Sequence, residues 1–454
     1  MANIRIISTS SIQAPSSTIG QSPKKIHLAP WDLKFLKFEM NQEGLLYHNP
    51  INNVKDQIQQ LKHSLSSTLH FFPPFTGRLV IVLEHEDNNT ASSYLLCNNA
   101  GAAFVHAVAD NTFVADILQS TYIPQILCSF FPQSGVKNFE GTSQPLLAVQ
   151  VTELGDGIFI GFTFNHVVAD GKSFYRFVNS WAEISRGCNK IITKLPTFER
   201  WFLDGVDPPI RFPFTKEEMM MMKQHSDENF KPQSPPVRIF LFTKEKISQL
   251  RSKANEEANT NKISSLQALL NHLWHFVTSA QKLDPREETC YNIVIYIDFR
   301  GRIIPPLGEN YFGNGVEAVV VTMKVGELLE GGLGKGAWEI HKMIDSHFDE
   351  KVKSYYKSWV KNPYFIKPRE TQVSDSLTIA HSPKFNVYDN DFGWGKAVAA
   401  RSGSANSRYG KISVLAGVEE GSIEIHACLP YEILEVMGND PYFTNVIISR
   451  NAKL

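Results

Sequence analysis

The chain has 454 residues, of which 43% are hydrophobic and 20% are charged, and its formal net charge at neutral pH is −1. This length and composition are typical of a globular protein with enough apolar material for two domains. Because the charge is nearly balanced and no dense Lys/Arg tract occurs, a nucleic-acid-binding protein is excluded.

Strands and helices are predicted throughout residues 3–187. Residues 3–8 predict a strand, and residues 54–71 predict a helix with apolar residues on one face. Residues 146–154 and 158–164 each alternate as strands, and the glycines around Asp156 predict a short turn between them. This hairpin leads directly to the most informative stretch of the chain.

A histidine and an aspartate stand where the second strand of this hairpin gives way to a helix. His166 ends the strand, and Phe174, Phe177 and later apolar residues recur at helical spacing. Ser173 is the predicted N-cap and Gly187 the predicted stop. Between strand and helix lie Asp170 and Gly171, where glycine permits an unusual backbone conformation or the close approach of a ligand.

The His-x3-Asp spacing has several readings, and alone it is a weak signal. The plainest is a buried histidine paired with a carboxylate for structural reasons. A metal site would need a third ligand nearby, and a serine hydrolase would need a Gly-x-Ser-x-Gly elbow; the sequence has neither. A general base is the remaining chemical reading, because the ordinary pKa of imidazole is close to neutrality.

Beyond residue 193 a proline-rich stretch predicts a crossover linker up to residue 236. Residues 237–242 predict a strand, and residues 262–277 predict a helix. Lys262, Ser264 and Ser265 at the start of this helix fit either ordinary N-capping or a site for an anion such as a phosphate.

Three further segments complete the C-terminal half. Residues 293–297 form a nearly continuous apolar run, which predicts a buried strand ending at Asp298 and Arg300. Residues 331–336 are rich in glycine but lack the pattern of a phosphate-binding loop, so they predict a loop before a helix. Residues 391–395, with glycines beside a tryptophan, predict a tight packed turn.

Several blocks in this order resemble the signatures of the plant BAHD acyltransferases. The blocks are HLAPWDL at 27–33, PPFTGRL at 73–79, HVVADG at 166–171, DFR at 298–300 with Pro305 and Pro306, YFGN at 311–314, and DFGWG at 391–395. The resemblance covers nearly the whole chain, and an ordered set of blocks is far more specific than any single one.

The resemblance implies an α/β fold of two chloramphenicol-acetyltransferase-like domains with a solvent channel between them. The expected division is residues 1–195 with the HxxxD motif, a crossover linker at 196–236, and residues 237–454 with the DFGWG motif. It also implies that His166 is the general base, that Asp170 maintains the local geometry by pairing with Arg300, and that no acyl-enzyme forms. The donor would be acyl-CoA, and the acceptor a hydroxyl or amine of a small plant metabolite.

Binding and structural roles follow from the same resemblance. Coenzyme A would contact Lys262, Ser264 and Ser265. The acceptor channel would be lined by residues that could equally form a solvated amphipathic stretch, namely Lys37, Phe38, Glu39, Met40 and Asn41. The residues expected to have structural roles are Gly171, Asp391, Gly393, Trp394 and Gly395.

The chain departs from the family pattern at three places. His275 stands where an arginine is usual, Lys172 where a small or hydroxyl residue is common, and Ala397 where proline often follows the basic residue, here Lys396. These changes leave the base intact but bear on the donor and acceptor preferences. Atypical relatives within the family keep two alternatives open. One is a lyase acting on a salicylate precursor, and the other is a non-catalytic partner protein in lipid or cuticle metabolism.

The cellular setting is predicted from simpler features. Five well-separated cysteines favour free thiols in a reducing compartment over a disulfide framework. The N-terminus lacks the apolar core of a signal peptide, and no run approaches the roughly 18 apolar residues of a membrane span. We therefore expect a cytoplasmic monomer with no metal, no permanently bound cofactor and no membrane span.

Overall fold

The structure is a computed structural model. It describes residues 4–15, 23–48, 54–83, 89–187, 194–215, 217–218, 220–221, 235–283, 286, 289–366 and 376–445. The strands in these ranges are β1 Arg5–Ile12, β2 Lys24–His27, β3 Asn41–His48, β4 Arg78–Leu83, β5 Thr90–Cys97, β6 Ala102–Ala109, β7 Leu147–Leu154, β8 Gly157–Phe164, β9 Arg211–Pro213, β10 Val237–Phe242, β11 Cys290–Asp298, β12 Val316–Lys324, β13 Ser376–Ala380, β14 Ala399–Ser402, β15 Lys411–Ala416 and β16 Ile423–Cys428. The α-helices are α1 Pro30–Leu33, α2 Val54–Leu69, α3 Val114–Leu118, α4 Gly171–Ser185, α5 Lys244–Glu257, α6 Ser265–Ala280, α7 Val325–Glu330, α8 Gly332–Asp345, α9 Asp349–Lys361 and α10 Tyr431–Asn439.

The first sheet has the order β1-β6-β7-β8-β3-β14. The predicted hairpin is present, because β7 and β8 pair antiparallel with Glu153 opposite Ile158. At its other end Phe164 lies between Leu147 of β7 and Asn41 of β3. The strand that leads to His166 is therefore paired on both sides, so the position of its last residues is fixed.

Strand β14 comes from the C-terminal half of the chain but pairs with β3 in the first sheet. Its register places Ser402 opposite Glu43. The division of the chain at residues 195 and 236 remains a prediction. The first sheet crosses that division, because it contains β14 from the C-terminal half.

The second sheet has the order β10-β16-β15-β13-β11-β12, and helices α5, α6 and α8 pack together beside it. Along β11 the side chains of Tyr291, Ile293, Ile295 and Ile297 are buried, whereas those between them are only half-buried. The predicted strand is present, and alternate residues along it are buried. A smaller sheet, β2-β5-β4 with β9 on β5, completes the fold.

Two local predictions need correction. Helix α4 is capped by Asp170, whose side chain accepts a hydrogen bond from the Ser173 amide, and not by Ser173 itself. The glycine-rich run is not a loop, because most of it forms the first turn of α8. A Cβ at Gly334 would lie 2.7 Å from Glu257 Cβ, so glycine here allows α8 to approach α5 closely.

The core around the first sheet draws on both halves of the chain. It includes Phe299, Phe312 and Phe392 together with the residues of β8 and α4. The Phe392 ring lies 4.8 Å from that of Trp181 on α4, edge to face. Within the described ranges, no helix is long and apolar enough to cross a membrane.

Candidate active site

The backbone around His166 is fixed by Asn138. The His166 amide donates to Asn138 Oδ1 at 2.8 Å, and Asn165 Nδ2 donates to the Asn138 carbonyl at 2.7 Å. Asn138 is fully buried, so these hydrogen bonds do not compete with water. The end of strand β8 and the side-chain amide of Asn138 together set the direction of the His166 side chain.

The imidazole of His166 is held on one face and at one nitrogen. Phe35 stacks on the ring with centroids 3.8 Å apart and an interplanar angle of 14°. Nδ1 lies 3.1 Å from Asn314 Oδ1. Among the described residues no hydrogen-bond partner reaches Nε2, and the side chain is half-buried. Nε2 is therefore the nitrogen available to a substrate.

Asn314 determines which nitrogen of His166 carries the proton. Its Nδ2 donates to Asp32 Oδ1 at 2.9 Å and to the His166 carbonyl at 2.8 Å. Since both partners are acceptors, the amide nitrogen must face them and the amide oxygen must face His166. Nδ1 then donates its proton to that oxygen, and Nε2 keeps a free lone pair, as a general base requires.

Burial lowers the pKa of His166 from 6.5 to about 4. The nearby carboxylate of Asp170 opposes this effect, while the buried Lys34 ammonium adds to it. The imidazole is consequently neutral at neutral pH and able to accept a proton.

A buried ion pair supports this arrangement from behind. Arg200 Nε lies 2.9 Å from Asp32 Oδ2, and Arg200 Nη1 donates to the Phe312 carbonyl at 2.6 Å. Asp32, Arg200 and Asn314 were assigned no role from the sequence, although Asp32 and Asn314 fall within the recognised blocks. A usable signal was Asp32 itself, because a carboxylate within an otherwise apolar block needs a partner.

Asp170 pairs with Arg300 and forms no hydrogen bond with His166 among the described contacts. Asp170 Oδ2 lies 2.8 Å from Arg300 Nη2 and accepts a hydrogen bond from the Gly315 amide at 2.9 Å. Its Oδ1 accepts from the Ser173 amide at 2.9 Å. The carboxylate is 1% exposed, so it joins α4 to the segment after β11 in a nearly dry environment.

Arg300 is bound at several other points. Its Nη2 donates to the Gly313 carbonyl at 3.0 Å, and its Nη1 lies 3.2 Å from Asp298. Burial alone would lower the pKa of Arg300, but the carboxylates of Asp170 and Asp298 raise it above the ordinary value. Lys172 also binds Asp298, at 2.7 Å, so this departure from the family pattern extends the network to the surface.

Gly171 and the 391–395 turn have packing roles. A Cβ on Gly171 would lie 2.8 Å from the Phe385 ring, so the group that lies close to this glycine is the Phe385 side chain. Asp391 Oδ1 accepts hydrogen bonds from the amides of Gly393, Trp394 and Gly395 at 2.8–3.0 Å. Gly393 and Gly395 have φ of +111° and +108°, which disfavour a side chain. The predicted tight turn is present.

The predicted acceptor residues divide into two groups. The Phe38 ring lies 6.3 Å from that of Phe35, which stacks on His166, and Asn41 pairs with Phe164 two residues before His166. Met40 is fully buried, while Lys37 is bonded to Glu218 and lies over the Phe365 ring.

The predicted coenzyme A residues are at the N-terminus of α6. Ser264 caps the helix in a capping box with Gln267, and Lys262 is exposed. No described contact joins them to His166. His275, on the same helix, lies 3.3 Å from the Leu329 carbonyl, and Lys396 pairs with Asp389. Among the described residues no His, Cys, Asp and Glu cluster could hold a metal ion.

Comparison with known proteins places the chain among acyltransferases. A family model described as "Transferase family" matches residues 2–444. An uncharacterised acetyltransferase of Arabidopsis thaliana is 40% identical over 441 residues, which cover 96% of this chain and 97% of the relative. The BAHD acyltransferase DCR of the same plant is 30% identical over 95% of this chain and 90% of its own.

A solved structure with the same fold is that of F. graminearum TRI101 complexed with coenzyme A and T-2 mycotoxin. It superposes with a TM-score of 0.73 at 15% sequence identity, covering 93% of this chain and 98% of that one. The predicted fold of two chloramphenicol-acetyltransferase-like domains is confirmed.

Proposed function

The chain belongs to the BAHD acyltransferase family, and we therefore propose that it transfers an acyl group from acyl-CoA to a hydroxyl or amine of a small plant metabolite. The observation that carries this proposal is the geometry of His166, whose Nδ1 is bound to Asn314 and whose Nε2 has no partner among the described residues. An acceptor hydroxyl is a poor nucleophile unless such a base removes its proton.

The proposed reaction is a direct transfer. Nε2 of His166 takes the proton of the acceptor as its oxygen or nitrogen attacks the thioester carbonyl carbon. The bond between that carbon and sulfur then breaks, and the coenzyme A thiolate takes the proton from the imidazolium. The acyl group passes from sulfur to the acceptor without a covalent enzyme intermediate.

Positioning residues hold the base in its reactive form. Asn314 keeps the proton on Nδ1, and Asp32 with Arg200 keeps Asn314 in place. Asp170 and Arg300 fix the start of α4 and act on geometry rather than on the proton. Holding both substrates in register can contribute several kcal/mol to the lowering of the barrier.

The substrate contacts form part of the same proposal. The α6 N-terminus with Lys262, Ser264 and Ser265 would bind phosphate groups of coenzyme A, because helix N-termini present amides and a positive dipole end. Phe38 and Asn41 would face the acceptor, since Phe38 contacts the Phe35 ring that stacks on His166 and Asn41 pairs with Phe164 at the end of the strand before His166.

The test is a screen of the purified chain against several acyl-CoAs with pooled plant alcohols and amines. Release of free thiol that depends on the acceptor, together with an acylated product by mass spectrometry, would support the proposal. The His166→Ala variant serves as the control for each active pair. Acceptor-dependent thiol release at the wild-type rate in that variant would contradict the mechanism. No observation in the described residues favours the lyase or the non-catalytic partner.

A further inference from the structure

Arg408, between β14 and β15, has an unusual environment. Its guanidinium carbon lies 3.5 Å from the centroid of the Phe38 ring. The residue is half-buried, and its Nη2 atom is buried without a hydrogen-bond partner. Stacking on an aromatic ring fixes the plane of a guanidinium but leaves its N–H groups unused.

The other buried arginines of this region differ from Arg408 in having a carboxylate partner. Arg200 has Asp32 at 2.9 Å, Arg300 has Asp170 at 2.8 Å, and Arg401 has Glu424 at 2.9 Å. Among the described residues, no carboxylate oxygen lies within 4 Å of Arg408. A partly desolvated guanidinium without a counter-ion is costly, so a ligand that supplies one would bind favourably.

The charged groups around Arg408 do not supply the missing counter-ion. Burial lowers the pKa of Arg408 to about 10, and the Glu39 carboxylate and the Tyr296 hydroxyl oppose this effect from a distance. Burial and the neighbouring Arg408 together lower the pKa of Lys411 to about 8. Two cations therefore lie close together where water is scarce, and the two oxygens of Glu43, which acts on Lys411, already bind His381, Asn406 and Ser402.

Arg408 is connected to the reacting centre through two aromatic rings. Phe38, on which it stacks, lies 6.3 Å from Phe35, and Phe35 stacks directly on His166. The guanidinium and the imidazole are thus separated by two aromatic rings. Phe38 is one of the residues predicted to line the acceptor channel, so Arg408 lies on the acceptor side of the proposed site.

We propose that Arg408 binds a carboxylate of the acceptor, so that the preferred acceptors are small hydroxy or amino acids. This inference rests on the proposed function, because it assigns the acceptor to the side of Phe38. The planar fork of an arginine matches the two oxygens of a carboxylate, which makes the contact selective as well as strong. Arg408 is then a specificity-determining residue of the site.

The experiment uses matched acceptors that differ only in charge. 4-(Hydroxymethyl)benzoate and its methyl ester present the same reacting hydroxyl. Calorimetry measures the affinity of each for the wild type, Arg408→Gln and Arg408→Lys. Arg251→Gln removes a charge from the exposed face of α5 and serves as the control.

We expect the wild type and Arg251→Gln to bind the carboxylate more tightly than the ester. Arg408→Gln should weaken carboxylate binding roughly ten- to a hundredfold, as for the loss of a charged hydrogen bond, and the ester should lose much less. Arg408→Lys should retain part of the preference. Equal binding of acid and ester by the wild type, no detectable binding of either, or a preference that survives Arg408→Gln would overturn the inference.

Two further measurements identify the source of the carboxylate and separate this inference from the proposed function. If Arg408→Gln weakened coenzyme A, or malonyl-CoA relative to acetyl-CoA, as strongly as it weakened the acid, Arg408 would serve the donor and the inference would be wrong. Acyl transfer is assayed separately. Its absence with every acceptor would refute the proposed function, whereas a carboxylate preference in binding would still assign Arg408.

Discussion

Replacing Asp170 by Asn is the sharpest test of how the site is held together. The wild-type carboxylate binds Arg300 at 2.8 Å and accepts hydrogen bonds from the amides of Ser173 and Gly315. Asn would turn an N–H₂ group toward donors on one side and remove the countercharge of Arg300. Since the pair is almost fully buried, we expect a loss of about 3–5 kcal/mol of stability, as is usual when one partner of a buried pair is removed.

Thermal unfolding followed by circular dichroism measures this loss. The expected fall in Tm is roughly 6–20 °C, on the basis of about 2–4 °C per kcal/mol for domains of this size. Asp345→Asn makes the same change at an exposed site on α8 and should stay within about 0.5 kcal/mol of the wild type. If Asp170→Asn melted like the wild type but lost turnover, the carboxylate would act in the chemistry itself, and the reasoning would be refuted.

Four other predictions concern the base and the donor. His166→Ala should lower the rate about a hundred- to ten-thousandfold in a thiol-release assay while its Tm stays near that of the wild type; an early melt would instead indicate a packing role. Because the pKa of His166 falls to about 4, the acid limb of the pH–rate profile should lie near pH 4. A limb near pH 6.5 would show that the ring is solvated. The same shift makes the unfolded chain bind more protons than the folded chain between about pH 6.5 and 4. Tm measured as a function of pH should therefore fall as the pH is lowered through that window. Lys262→Glu should weaken coenzyme A binding in calorimetry, whereas Lys357→Glu on the exposed face of α9 should not; equal affinities would move the donor site elsewhere.

Local sequence patterns predicted the elements around His166 well. The hairpin of β7 and β8 and helix α4 follow from periodicities that depend only on neighbouring residues. The errors arose where the structure of a segment depends on its packing against a second, distant element. The glycines of α8 were taken for a loop because the contact with α5 that needs them comes from residues about 75 positions earlier.

The site shows the same limit. His166, Asp170 and Arg300 were identified through the resemblance of their motifs, and the pairing of Asp170 with Arg300 is present. Asn314, which orients the imidazole, is 148 residues from His166, and Asp32 is 282 residues from Asn314. No periodicity records contacts of that separation. Arg408 lies outside every recognised block, and it was identified only because its guanidinium lacks a carboxylate partner in the described part of the folded chain.

The pairing of β14 with β3 has a consequence for synthesis on the ribosome. When β8 has emerged, β3 still lacks its outer neighbour, because residues 399–402 follow more than 230 residues later. At about 5–20 residues per second this delay lasts on the order of ten to fifty seconds. During that time the nascent chain carries an open strand edge, and such edges favour aggregation. We therefore expect slower translation between β8 and β14 to lower the yield of folded protein through aggregation of the nascent chain.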